Sequence, residues 1–294
     1  MSHTLRPPHL GRVLAGAVLL TVFGASAQAA QIRVTVENLA PSDGFSLTPV
    51  YLGFHNGSFD LFNIGEAASP GLEVVAEEGG PFSNTPEAMG MGGGVANERL
   101  AADPNSQGGV IAAPEGFPGA PVIEPGEIGT AIITINDPTD QRFLTYVSMV
   151  ISSNDAFIGN EAPIELFDDA GNFLGDVDIL VTGNSIYDAG TEENDATDGP
   201  AFAPGFPRGS GTPTVNGVVT LHEGLGDILG AGTFAGLEQP NGAILGADAI
   251  DFVTDRAGFQ LARITITEVP EPSSFALLGA GMLGLGTLRR KRLA

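Results

Sequence analysis

The sequence predicts an all-β protein, an antiparallel β-sandwich with long loops and few short helices. Three observations carry the β assignment. Short apolar stretches alternate with polar residues at a period of two, as in strands half-buried against a core. The chain holds 42 glycines and 21 prolines, which suit turns between short strands better than helices. Capped helical patterns are scarce along its 294 residues.

The elements follow in order. Ile32, Val34 and Val36 alternate with Arg33, Thr35 and Glu37, giving an opening half-buried strand. Ser69 is an N-cap, Pro70 takes the first helical position and GLEVVAEE continues, so a short helix is expected there. Leu144–Ile151 (LTYVSMVI) is apolar on both faces and predicts a central strand. Ile164–Phe167, a turn DDAGN, and Phe173-Leu174 predict a hairpin. Val177–Val181, Val218–Leu221 and Leu261–Thr267 complete the strands. Leu225–Gly236 reads as a glycine-weakened second helix, and Glu78–Asn97 and Thr191–Gly217 as long loops.

The ends read differently from the body. Arg6 and Arg12 precede an apolar run, Val13–Gly24, and Ala27-Gln28-Ala29 offers a cleavage site, so residues 1–29 are expected to be a secretory signal peptide. At the other end, Pro270-Glu271-Pro272 is followed by an uncharged apolar run, Phe275–Leu288, and a basic cluster, Arg289-Arg290-Lys291-Arg292. Positive residues hold the end of a membrane helix on the cytoplasmic side. Residues 269–294 resemble the PEP-CTERM sorting signal of Gram-negative bacteria. That resemblance implies export across the cytoplasmic membrane, transient anchoring by the C-terminal helix, and recognition by an exosortase-type sorting enzyme. The protein would then reach the cell surface or the medium, meeting membrane only through its terminal segments.

Between the ends, residues 30–268 are read as one domain. This body has six arginines and no lysine, against all but one of the chain's 35 acidic residues. Such a surface attracts cations and repels nucleic acid, whose binding needs the opposite sign. Cysteine is absent, which excludes disulfides, thiol catalysis and Cys-based zinc sites. The sequence contains no G-x-S-x-G elbow and no phosphate-binding loop. His222-Glu223-Gly224-Leu225-Gly226 lacks the second histidine of a zinc protease, and Asn194–Gly199 has its acids out of phase for an EF-hand.

Candidate chemistry gathers in SNDAFIGN (153–160) and YDAGTEEN (187–194), where carboxylates stand at strand ends beside glycines. Two such loops brought together could supply the oxygens that a hard cation needs. These strings, with IRVTVENLAP, the stretch from LTPVYLGFHNG to LEVVAEEG, VVTLHEGLGD and ARITIT, resemble the spondin domain, a module of animal matrix proteins that also occurs in exported bacterial proteins. The resemblance implies a C2-like β-sandwich with a calcium site at one end, with metal ligands at Asp155 and Asp188. Glu192 stands where animal members have an aspartate. The cysteines and tryptophan of animal members are missing here, so their disulfides and aromatic packing do not carry over. The expected function is a calcium-stabilised binding or adhesion module of the extracellular matrix or biofilm, with exopolysaccharide or a matrix protein as partner. An enzyme acting on envelope polysaccharide, or a purely structural matrix component, is the alternative.

Overall fold

A computed structural model describes residues 29–80, 94–113, 121–226 and 232–270. The expected signal peptide, the apolar tail run with its basic cluster, and most of the loop after Glu78 lie outside the described residues. The described chain is mostly antiparallel β, in two sheets. The strands are β1 (Ala30–Asn38), β2 (Ser46–Leu47), β3 (Val50–His55), β4 (Gln107–Ile111), β5 (Ile128–Ile135), β6 (Phe143–Ile151), β7 (Ala156–Gly159), β8 (Ile164–Glu165), β9 (Val177–Thr182), β10 (Ile186–Asp188), β11 (Thr220–Leu221) and β12 (Gln260–Glu268). Two helices, α1 (Pro70–Glu78) and α2 (Gly94–Ala102), accompany them. One sheet runs β5-β1-β12-β9; the other runs β11-β10-β7-β6-β3-β4, with β2 and β8 also pairing β6.

The sandwich core lies between the sheets. Ile32, Val34 and Val36 of β1 and Ile264 and Ile266 of β12 meet Leu52 and Phe54 of β3 and Leu144, Tyr146 and Val150 of β6. Burying an aliphatic side chain of this size is worth about 1.5–3 kcal/mol. A second cluster covers the opposite face of the larger sheet: Leu72, Val75 and Ala76 of α1 and Val95 and Ala96 of α2 pack on Tyr51, Val147, Phe157 and Tyr187. The larger sheet is therefore covered on both sides, which explains why β6 reads apolar on both faces. Of its nine residues, eight are buried.

The other expected elements can be placed. Ser69 caps α1 by accepting from Leu72 N–H. The hairpin closes through a bridge between Phe167 and Phe173, with Asp168 holding the turn. Two expectations are corrected. Residues 225–226 and 232–236 form bends and turns, not a helix, because glycines at 226, 232 and 236 remove helical preference. The expected loop ending at Asn97 already enters α2 at Gly94.

Candidate metal centre

Strand register brings the two acidic strings together. β7 pairs with β10 so that Ala156 faces Asp188, and β10 pairs with β11 so that Asp188 faces Thr220. Asp155, one residue before β7, therefore lies beside Asp188, at the end of β10. The ladder continues past the strands, with Ala189 N–H donating to the Asp155 carbonyl. His222, just after β11, donates its backbone N–H to the Ile186 carbonyl.

Asp155 is fully buried. Its Oδ2 accepts from Thr191 N–H at 2.7 Å, Glu192 N–H at 3.1 Å and the Thr191 hydroxyl at 3.2 Å. Its Oδ1 is buried and has no hydrogen-bond partner. Burial, and then the negative charge of Asp188, push the carboxyl well above the ordinary aspartate range, against the pull of those donors. Asp188 accepts from Gly190 N–H at 2.7 Å and from the Asn194 side-chain amide at 2.5 Å. That leaves Asn194 Oδ1 buried and unpartnered as well. Two oxygens that could accept thus stay bare beside two carboxylates.

His222 is fully buried, and its ring packs edge-on against Phe252 at 5.5 Å. Its Nδ1 accepts from Gly224 N–H at 3.0 Å, so the neutral ring carries its proton on Nε2. That Nε2–H is buried without an acceptor. A protonated Nε2 offers no lone pair to a metal, so the donors at this end are oxygens. Burial lowers the ring's basicity, with Asp188 opposing and Arg256 reinforcing the shift. Arg256 holds the turn from below, donating to the carbonyls of Gly183 and His222.

Glu192 is placed differently from the two aspartates. Its backbone serves Asp155, while its carboxylate packs against Gly211. Gly211 N–H donates to Oε1 at 2.8 Å, and Oε2 is buried without a partner. Burial and then the charge of Glu77 push this carboxyl up to about 7. Glu77, on α1, is itself raised, chiefly by burial. Among the described residues, no three His, Asp or Glu side chains converge as a ready-made metal cluster. Of the three expected ligands, Asp155 lies beside Asp188, and Glu192 is tied to Asp155 by its backbone N–H with its carboxyl feeling the charges of Glu77, Asp155 and Asp198.

Sequence reasoning did not place Glu77 or Asn194 here. Glu77 carried a readable signal: α1 ends in two glutamates with no basic residue in its last turn, against the preference of a helix C-terminus for positive charge. An open hollow of about 410 Å³ beside the His222 turn is lined partly by Glu223, Asp248 and Asp251. Its Asp251 carboxyl is lowered by hydrogen bonds from Thr254, unlike the raised carboxyls at the strand ends.

Among known families, the PEP-CTERM protein-sorting motif matches residues 268–292. No curated protein matches the chain. The motif marks an exported, surface-sorted protein of the kind that exosortase-type enzymes recognise. Among the described residues, no helix is long and apolar enough to cross a membrane.

Proposed function

We propose that this chain is a spondin-type binding module, displayed outside the cell, whose loop-bearing sandwich end is fastened by calcium. The observation that carries the reading is the pair of buried, unpartnered acceptors, Asp155 Oδ1 and Asn194 Oδ1, flanking Asp188. Buried polar groups are nearly always satisfied, and each exception asks for a reason. Carboxylate and amide oxygens suit Ca²⁺. Bound there, Ca²⁺ would supply the positive charge that lets both aspartates stay ionised in a buried setting. Asp155 and Asp188 would hold it, with Asn194 beside them. Glu192 fixes Asp155 through its backbone N–H, and its carboxyl stands within reach of the Asp155 charge.

The chain's own residues set what such a site could do. Asp155 ties the 189–192 segment to the start of β7, so the loops around it keep one shape. A fixed loop surface with strong negative charge suits adhesion in an extracellular matrix, to exopolysaccharide or a matrix protein. The test is retention of the purified protein on exopolysaccharide from its own host, with Ca²⁺ and with EDTA. Retention that needs Ca²⁺ and fails for Asp155→Asn supports the reading. Turnover of the polysaccharide, seen as shortened chains, would replace it with the enzymatic alternative.

A further inference from the structure

Resting on the C-terminal motif as a membrane anchor, and independently of calcium, we infer that the anchored protein stands end-on on the outer face of the cytoplasmic membrane. The β1–β12 strand ends lie toward the lipid, and the Asp155–Asp188 end faces away. The sorting motif begins inside the sheet. Its first matched residue, Glu268, is the last residue of β12 and pairs with Ile32 of β1. Val269 N–H then donates to the Gln31 carbonyl at 2.8 Å. β12 is not a loose end. It pairs with β1 on one side and β9 on the other, and its Ile264 and Ile266 are fully buried.

Little chain remains between that sheet and the apolar run. Pro270 to Ser274 is five residues, at most about 18 Å when fully extended. A body of this length has a radius of gyration of about 18 Å, so the tether is shorter than the body is wide. The two prolines in it fix two of its φ angles and stiffen it further. Such a tether keeps the β1–β12 end near the lipid and does not let the body turn over. β1 starts at Ala30 on the same edge, so both ends of the body leave from one place.

The candidate metal centre belongs to the other end of β12. Gln260, where β12 starts, pairs with Thr182, where β9 ends. Arg256, just before β12, donates to the carbonyls of Gly183 and His222. His222 N–H in turn donates to Ile186 of β10, the strand that ends in Asp188. The nine residues of β12 separate this end from the tether, about 30 Å at the rise of an extended strand. Charge selects the upright stance over a flat one. The body has six arginines and no lysine against all but one of the 35 acidic residues, and lying flat would bring that charge along anionic headgroups that repel it.

The test is energy transfer from a fluorophore on the protein to acceptors on lipid headgroups. The chain has no cysteine, so one introduced thiol gives one label. Asp176→Cys places it just before β9 at the tether end, and Ala257→Cys just before β12 at the far end; both native residues are exposed. The full chain is reconstituted in vesicles of phosphatidylethanolamine and phosphatidylglycerol carrying the acceptor, and co-flotation scores anchoring. Transfer from position 176 should be severalfold greater than from position 257. Inserting about thirty Gly/Ser residues after Val269, with a reach of about 30 Å, should shrink that difference. Co-flotation with equal transfer, or with more from position 257, would overturn the inference and leave the anchor standing. Failure to co-float would remove the anchor reading itself. A difference unchanged by the insertion would overturn the tether as its cause.

Discussion

Two histidines in this protein sit in the same local structure and end differently. His55 and His222 each begin a His-x-Gly turn at a strand end, and both are fully buried. Each Nδ1 accepts from the glycine N–H two residues on, at 3.1 and 3.0 Å. Gly57 and Gly224 take positive φ, where glycine is favoured. Each ring packs edge-on to a phenylalanine, Phe59 at 5.6 Å and Phe252 at 5.5 Å. Both rings are pushed down to about 4, chiefly by burial. The difference is Nε2. In His55 it donates to Thr145 Oγ1 at 3.0 Å; in His222 it has no partner. The His55 turn shows that this fold can finish such a turn. The unpartnered acceptors of Asp155 and Asn194 near the His222 turn are what the proposed cation would satisfy.

The largest effect comes from removing the rings. Phe252→Ala and Phe59→Ala should each cost about 3–5 kcal/mol in stability, read as a lowered denaturation midpoint. Only Phe252→Ala should also weaken Ca²⁺ binding, because Phe252 supports the His222 turn beside Asp188. Equal loss of Ca²⁺ affinity in both would erase the distinction between the two ends.

A smaller effect comes from making His55 resemble His222. Thr145→Val keeps the shape but leaves the His55 Nε2–H without an acceptor, costing about 1–3 kcal/mol. The loss should be the same in Ca²⁺ and in EDTA. A loss that depends on Ca²⁺ would place metal at the wrong end.

The pH dependence sharpens the contrast further. A carboxyl raised by folding gives its full contribution below its unfolded value and loses it as pH rises through the folded one. For Glu192 that window runs from 4.5 to about 7. In EDTA, wild type should therefore lose melting temperature relative to Glu192→Gln across this window. The histidines act the other way. Their contribution is full above 6.5 and is lost as pH falls toward about 4. Comparing wild type with the variant cancels the histidine part. A melting difference that stays flat between pH 4.5 and 7 would contradict the burial of Glu192.

The smallest effect is at the helix. Ser69→Ala removes the N-cap of α1 and should cost about 1 kcal/mol, read as a small fall in the denaturant midpoint. The fall should be equal with and without Ca²⁺, since Ser69 takes no part in the proposed site.

The sequence exposed those parts of the fold where burial follows simple alternation. β1 and β12 are buried on one face only, so Ile32, Val34 and Val36 show a clean period of two. β6 was legible as central because both of its faces are covered. Other strands were hidden by packing. In β4, Gly108 and Gly109 lie close against Tyr51 and Ile133, and two adjacent glycines leave no apolar alternation to read. β5 exposes Ile128 and Ile132 at a sheet edge, which blurs its polar face. At the site, Asp155 and Asp188 were legible as strand-end carboxylates beside glycine. Glu77 showed only as an acidic helix end without a basic residue, and Asn194 not at all as a neighbour of Asp188, because such proximity comes from packing that no local spacing encodes. Glu192 was legible as an acid near the others, but not the packing of its carboxylate against Gly211.

The most direct measurement is thermal melting of wild type and Asp155→Asn, each in EDTA and in Ca²⁺ at about a hundredfold excess over its dissociation constant. A ligand that binds only the folded state stabilises by about 2.7 kcal/mol at that excess, or several degrees for a domain of this size. The account predicts such a rise for wild type and a clearly smaller one for Asp155→Asn. Identical wild-type melting in EDTA and Ca²⁺ would contradict it.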